Sequence, residues 1–291
     1  MIIVKLQGGL GNQMFQYATA RSLSKNNPVY FDLSFFSNNH ISTENFTARQ
    51  YRLHLFKNLK GIKINRKLIR VILTENKKYR LVKKLLPDHL KYITRLNDDN
   101  ILNDHLRTAS CYLDGYFQNP AYFESIRNVL LAEFKFPEVP DNLNYLASKI
   151  SECKNAVSIH VRRGDYLKPV INNVHGVLSS KYYNSATDHI KLKIANPVYF
   201  IFSDDAEWCN ANLPFIYGEK YVVSLQHDDW IDMYLMSLCK HHIIANSSFS
   251  WWGAWLGQNS DKIVLAPESW YVDKEVNARF KHIIPDNWIR L

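Results

Sequence analysis

Ala156-Val-Ser-Ile-His-Val-Arg-Arg-Gly-Asp-Tyr166 is the stretch on which the reading of this 291-residue chain turns. Six residues of strand-like composition, with β-branched Val157, Ile159 and Val161 at alternate positions, run straight into two arginines, a glycine and an aspartate. A short apolar run of this kind, cut off by turn residues, reads as a buried strand of a parallel sheet. Paired arginines at its carboxyl end are a device for holding a diphosphate, because the planar guanidinium fork matches phosphate oxygens and keeps its charge at any ordinary pH. Gly164 allows the sharp turn that follows. Arg163-Gly164-Asp165 also spells an adhesion motif, but nothing else in the chain supports an exposed extracellular loop.

Outward from this strand the carboxyl half alternates. Strand-like runs at 198–202, 221–225, 242–245 and 263–265 are separated by helix-like stretches at 179–195, 205–212, 229–240 and 249–257. Such alternation predicts parallel βαβ units and a sheet covered on both faces. Ligands of such sheets bind outside the carboxyl ends of the strands. Those ends carry Arg162, Arg163 and Asp165; Ser203, Asp204 and Asp205; Asn246, Ser247 and Ser248; and Pro267 with Glu268. A helix beginning near Ser250 would aim free N–H groups and a positive dipole end at the same edge, with Ser248 and Ser250 adding hydroxyls. Trp251, Trp252 and Trp255 read as packing of that helix. The Asp204 and Asp205 carboxylates suit a sugar hydroxyl, a ribose or a guanine edge.

The amino half opens with a strand at 2–6, a glycine-rich turn at 8–11, a helix at 13–24 and a strand at 29–31. The turn Gly8-Gly-Leu-Gly-Asn-Gln-Met14, with Asp32 lying 21 residues after Gly11, partly matches a dinucleotide-binding fingerprint. Met14 stands where the third glycine belongs, which weakens a redox reading. Gly9 and Gly11 still give a ligand close access to backbone, with Asn12 and Gln13 at the helix start. Tyr112-Leu-Asp-Gly-Tyr-Phe-Gln118 reads as a strand and its exit loop, Asn119-Pro120 as the start of a helix over 121–131, and 141–153 as a further helix. The expected domain boundary falls near 150, giving domains 1–150 and 151–291.

Composition is that of a globular protein, with 46% hydrophobic and 22% charged residues. No run approaches the roughly 20 apolar residues of a membrane span. The first residues lack the basic start and long apolar stretch of a signal peptide. Four scattered cysteines, Cys111, Cys153, Cys209 and Cys239, read as reduced thiols of a cytoplasmic protein. His241 and His242, adjacent on a strand, point to opposite faces and do not read as a metal pair. Charge is uneven: 57–95 holds 13 Lys and Arg against 2 Asp and Glu, a net of +11, which leaves the rest about −2 of the total +9. A basic helical insertion over about 57–108 is expected. Its charge would attract phosphates of an anionic membrane. It lacks the aromatic interleaving of a single-strand nucleic-acid binder.

Three motifs together resemble the bacterial-type α-1,2-fucosyltransferases: Gly8-Gly-Leu-Gly-Asn-Gln-Met-Phe-Gln-Tyr-Ala18, His160-Val-Arg-Arg-Gly-Asp-Tyr166 and Asn246-Ser-Ser-Phe-Ser-Trp-Trp-Gly-Ala-Trp-Leu256, supported by Gly115-Tyr-Phe-Gln118 and Phe202-Ser-Asp-Asp205. The resemblance implies a GT-B-like α/β fold, two Rossmann-like domains facing across a cleft. It implies transfer of fucose from GDP-β-L-fucose, with inversion and no metal or other cofactor, to the 2-hydroxyl of a galactose-terminated glycan, lipid-linked and bound for O-antigen. A cytoplasmic enzyme of this kind would use the +11 block to meet the inner face of the membrane, an expectation that rests on charge alone, and no nucleic-acid partner is expected. Arg162 would hold the β-phosphate, and Arg163 would orient Asp165 or the loop. Ser248 and Ser250 would support the diphosphate, with Ser203, Asn246, Ser247, Phe249, Gly9, Gly11 and Gln13 on the donor. His160 and Asp204 or Asp205 would lie near the nucleoside, and Asn12 would reach the reaction centre. Asp32, Asp114, Tyr116 and Gln118 are the acceptor-side candidates; the hydroxyl proton goes to a base, for which Asp32, Asp114 and Asp165 are the candidates, or leaves late to a phosphate oxygen. Two other readings stay open on sequence: a nucleic-acid-binding module built on the basic block, and a lectin-like protein built on the seven Trp and seventeen Tyr.

Overall fold

Parallel strand pairing organises both halves of the chain. The computed structural model describes every residue except 75–76, 100–109, 214–219 and 225–227, so the end of the basic insertion and the last residue of the strand expected at 221–225 lie outside the described residues. Two α/β units result: Met1–Ser42 with Ala48–Lys135, and Thr43–Thr47 with Phe136–Leu291. Each carries a parallel sheet, so the expected pair of Rossmann-like units holds for each taken by itself.

In the first unit β1 (Ile2–Lys5), β2 (Val29–Asp32), β3 (Gly61–Lys63), β4 (Thr94–Leu96) and β5 (Cys111–Leu113) form a five-stranded sheet in the order β3-β2-β1-β5-β4, parallel at every pairing. Ile2, Ile3 and Val4 of β1 are buried, as a β-branched run in a central strand should be. The connecting helices are α1 (Leu10–Ser24), α2 (Ser34–Asn38), α3 (Arg66–Leu73), α4 (Lys77–Lys84), α5 (Asp88–Lys91) and α6 (Arg127–Glu133). Ile69 and Ile72 of α3 enter a core with Ile3, Leu90 and Tyr112. A buried ionic group fastens α1 to α6: Tyr17 donates to Glu133 Oε2 at 2.7 Å and Arg21 Nε to Glu133 Oε1 at 2.9 Å.

Two local expectations are corrected here. α1 starts at Leu10 and not at Gln13, because Gly9 already takes the extended N-cap conformation. The helix expected over 121–131 is broken into short 3₁₀ turns at Pro120–Tyr122 and Glu124–Ile126 before α6, since Phe123 adopts φ −136° between them. The edge strands β3 and β4, only three residues each, carry no readable strand pattern.

In the second unit α7 (Asp141–Glu152) leads into β6 (Ala156–Val161), α8 (Pro169–His175), α9 (Ser180–Lys193), β7 (Val198–Ser203), α10 (Ala206–Asn212), β8 (Lys220–Ser224), α11 (Asp229–Leu238), β9 (His241–Ile243), α12 (Ser248–Leu256), β10 (Val264–Ala266), α13 (Lys274–Arg279) and β11 (Ile289–Arg290). The sheet order is β11-β10-β9-β6-β7-β8, again parallel at every pairing. Every residue of β6 is buried. The division of the chain falls after Lys135, earlier than the boundary expected near 150. The cause is packing: Phe136 stacks on the Trp230 ring of α11 at 6.2 Å, meets Tyr234 edge-on, and α7 lies against the same helix. The segment Thr43–Thr47 joins this unit as well, where Lys168 Nζ donates to the Thr43 carbonyl at 3.0 Å.

Candidate active site

The strand order of the second sheet runs from β6 to β7 and β8 in one direction and from β9 to β10 and β11 in the other, so it reverses between β6 and β9. A crevice outside the carboxyl ends at such a reversal is where open α/β sheets bind ligands. The residues leaving β6 there are Arg162 to Asp165, and those leaving β9 lead through Asn246 and Ser247 into α12.

Arg162 is held on both sides. Its Nη1 meets Asp204 Oδ2 at 2.8 Å and its Nη2 donates to Asp165 Oδ1. Burial disfavours its charge, but Asp204 and Asp165 outweigh that cost and raise its pKa. Its guanidinium also lies 5.5 Å from the Tyr166 ring centre. Asp204 is shared, since its Oδ1 accepts the Arg163 backbone N–H at 2.9 Å. A Cβ on Gly164 would stand 2.5 Å from Asp204 Oδ2, so this position must stay bare for the turn to close on that carboxylate. Arg163 turns the other way: Nε donates to Asp205 Oδ2 at 2.9 Å and the guanidinium covers the Trp208 ring at 4.4 Å. Asp205 caps α10 by accepting the Trp208 N–H, and that bond, followed by Arg163, holds its pKa down. Of the two expectations for Arg163, Asp165 or the loop, pairing with Asp165 is corrected: its side chain goes to Asp205 of the loop after β7. Arg162 takes Asp165, because consecutive side chains diverge after a strand. Ser203 Oγ accepts the Asp205 N–H at 2.9 Å, so its hydroxyl oxygen braces the loop.

α12 begins at Ser248 with Ser247 as its cap, Oγ accepting the Phe249 N–H, and not near Ser250. Ser250 is fully buried and its hydroxyl reaches back to the Ala245 and Ser247 carbonyls, which removes it from direct support of a ligand. Ser248 and Phe249 stay half-buried in the first turn. Trp251, Trp252 and Trp255 pack as expected, and Trp251 Nε1 donates to the Ile283 carbonyl at 2.7 Å.

Three buried polar atoms beside this edge have no hydrogen-bond partner among the described residues: Nδ1 of His160, Nδ1 of His175 and Oδ1 of Asn246. The Asn246 amide nitrogen is committed to the His175 carbonyl at 2.6 Å. The His160 ring sits 5.7 Å from Phe249, and burial, with Arg162 adding to it, pushes its pKa down to about 3. His160 is a neutral imidazole, fit to hydrogen-bond and not to carry a charge.

Sequence reasoning missed an aromatic stack on this edge. Tyr166 stacks on His175 at 5.1 Å, His175 meets Tyr271 at 5.3 Å, and the Tyr166 hydroxyl donates to the Asn246 carbonyl. Tyr166 ends the arginine motif and Trp208 follows Asp205 by one helical turn, so both were findable. His175 and Tyr271 come from distant stretches with no local signal.

The remaining candidates belong to the first unit. Gly8 takes φ +75° and Gly9 caps α1, beside buried Gly11. Gln13 is fully buried, donating to the Gly8 and Gln50 carbonyls and accepting from Arg52 N, so its amide is structural and not free for a donor. Asn12 Oδ1 accepts from Gln118 Nε2 at 2.8 Å. Tyr116 is partly exposed, its backbone held by Asp98. Asp32 and Asp114 line one cavity of about 350 Å³ with Lys5, Phe35, Arg95 and Tyr112, which Tyr116 and Gln118 do not enter. Asp32 accepts from Tyr112 at 2.8 Å and from Ser34 N, while Asp114 pairs with Lys5 at 3.0 Å.

A family model described as glycosyl transferase family 11 matches residues 1–291. The chain is 36% identical to the O-antigen biosynthesis glycosyltransferase WbnK of Escherichia coli, over 98% of this chain and 99% of that protein. It is 32% identical to an alpha-1,2-colitosyltransferase of the same organism, over 100% of this chain and 99% of that one. A galactoside alpha-(1,2)-fucosyltransferase 1 of Leontopithecus chrysomelas is 28% identical over 53% of this chain and 45% of its own length.

Proposed function

The chain belongs to glycosyl transferase family 11, and we propose that within it the protein transfers L-fucose from GDP-β-L-fucose to the 2-hydroxyl of a terminal galactose, with inversion and without a metal. As a glycosyltransferase it takes a nucleotide-sugar donor and a glycan acceptor. The names of its relatives support an α-1,2 linkage and a role in O-antigen synthesis; a lipid-linked acceptor met in the cytoplasm is part of the proposal. The single observation that carries the proposal is the half-buried Arg162 fork, braced by Asp204 at the reversal point of the six-stranded sheet.

The chemistry follows from that placement. A hydroxyl oxygen of the acceptor attacks the fucose carbon from the face opposite GDP. The bond to the β-phosphate oxygen breaks, and negative charge grows on GDP. A fixed guanidinium answers that charge without reorganising, which is where transition-state stabilisation is largest. The first N–H groups of α12 add to it. The donor phosphate takes the Nη2 edge of Arg162, in exchange for Asp165, while Asp204 keeps the Nη1 edge. Asp165 released in this way is the donor-side candidate for accepting the hydroxyl proton; Asp32 and Asp114 are the acceptor-side candidates. His160 Nδ1 and Asn246 Oδ1, both unpartnered, give the nucleotide two neutral hydrogen-bonding sites.

The test is GDP release from GDP-β-L-fucose in excess EDTA over a panel of galactose-ended acceptors, with a colitosyl donor as the comparison arm and product linkage read by NMR. Turnover with galactose-ended acceptors and an α-1,2 product is expected. Arg162→Ala should lose about 10²–10³-fold in kcat while its circular dichroism is unchanged. Dependence on added metal, preference for the colitosyl donor, or an Arg162→Ala variant with near-normal turnover would each overturn the reading.

A further inference from the structure

The two basic helices of the first unit differ in what they do with their apolar residues. α3 turns Ile69 and Ile72 into the core. α4 does not: Leu81 is 72% exposed and Leu85, just past its end, 85% exposed, with Val82 and Tyr79 also open to solvent. Leu81 and Leu85 are four residues apart and Val82 and Leu85 three apart, so they share one face of the turn. Cations surround this face. Lys84 is exposed beside it, Arg66, Lys67 and Arg70 are exposed on α3, which packs against α4, and Lys83 is tied down to the Ile72 carbonyl at 2.8 Å. Asp88, the described acidic residue of the segment 57–95, is paired with Lys91 at 3.1 Å.

Exposed leucines are unremarkable singly, but two leucines, a valine and a tyrosine grouped within one strongly basic segment are the signature of an interfacial surface. A nucleic acid would use the cations and gain nothing from Leu81 and Leu85. A second copy of the chain would bring the same net positive charge to the contact. An anionic bilayer uses both parts, since its headgroups attract the cations and its acyl boundary takes the leucines. We infer that α4 and the residue that follows it, with the exposed basic face of α3, form a docking surface for an anionic lipid bilayer. This rests on the proposed function only for its biological sense, a lipid-linked acceptor; the surface itself stands on the exposed side chains and the charge.

The test is flotation of the full chain with vesicles of neutral phosphatidylcholine, and of phosphatidylcholine containing phosphatidylglycerol. Wild type is expected to float with the anionic vesicles at least about tenfold more than with the neutral ones, and less so in high salt. Leu81→Asp with Leu85→Asp, both on exposed positions, is expected to cut that binding about tenfold or more while GDP release with a soluble acceptor stays at the wild-type rate. Equal flotation on both vesicles overturns the proposal. So does a double variant that floats like wild type, which would leave charge alone at work, or a wild-type dimer that this variant dissociates, which would make the face a contact between copies. Flotation without any fucosyl transfer would reject the proposed function and leave the docking surface standing; transfer without flotation would do the reverse.

Discussion

Asp204 holds Arg162 by its side chain and Arg163 by its backbone, one carboxylate oxygen to each, at 2.8 and 2.9 Å. The loop after β6 is thus set by a residue from the end of β7, and Gly164 is the position that lets the two come so close. Gly164→Ala should therefore damage the same function as Asp204→Asn. Each is expected to lower kcat by about 10-fold to 10²-fold, and the double variant to be little worse than either single one, because residues sharing one interaction are not additive. Fully additive losses in a double-mutant cycle would show that Gly164 acts by another route.

His160, His175, His241 and His242 all have their pKa lowered, in each case chiefly by burial. Their unfolded values lie near 6.5, so the unfolded chain binds more protons below that pH. The stability they contribute is complete above about 6.5 and is lost as pH falls towards the folded values, which for His160 is about 3. Each fully buried group is worth at most about 1.4 kcal/mol per pH unit in that window. The urea midpoint is expected to fall from pH 7 to pH 5, and less steeply in His160→Gln. In the same window His160 stays neutral, so a rate-limiting titration near pH 6 to 7 that vanished in His160→Gln would contradict its assignment.

Glu133 accepts from both Tyr17 and Arg21 in the interior of the first unit, with the Arg21 and Glu133 side chains 6% and 7% exposed. Replacing it with Ala leaves a buried guanidinium without its counter-charge. A loss of about 3–5 kcal/mol in chemical denaturation is expected, larger than for an exposed ion pair of the same length. Restoring stability by adding Arg21→Met to Glu133→Ala would confirm that the unpaired charge is the cause.

Asp114 gives the contrasting case. Its pair with Lys5 is exposed, the carboxylate side chain at 46%, so Asp114→Asn should shift the melting temperature little. It lies in the cavity with Asp32, the acceptor-side placement of the proposed function. The expected kinetic result is a several-fold higher KM for the glycan with an unchanged KM for the nucleotide sugar. An equal rise in both would remove Asp114 from acceptor recognition.

β6 was legible to its last residue because six consecutive positions are buried and a charged pair ends it. The helix after β9 was legible in kind but displaced, since two serines near its start compete as caps and only geometry shows that Ser247 caps while Ser250 bonds backwards into the core. The arginines were found, but Asp165 was assigned to Arg163 or left to the loop, and not to Arg162, because sequence gives the alternation of side chains and not the loop that brings Asp204 beneath them. α8 and β11 went unread: the first follows the Gly164 turn with no apolar periodicity, and the second is a two-residue edge strand. The Tyr166, His175 and Tyr271 stack joins residues far apart in the chain, which is information that only the fold contains.

Lys168 anchors the carbonyls of Thr43 and Phe46, and the short stretch Thr43–Thr47 is counted with the six-stranded unit although residues on both sides of it belong to the other. The six-stranded unit is therefore not one continuous length of polypeptide. A gene fragment beginning at Phe136 would encode the whole six-stranded sheet yet leave the ammonium of Lys168 without these two acceptors. The two halves share their chain in an interleaved order, so ancestral fusion, shuffling or truncation at a single cut would separate neither of them cleanly.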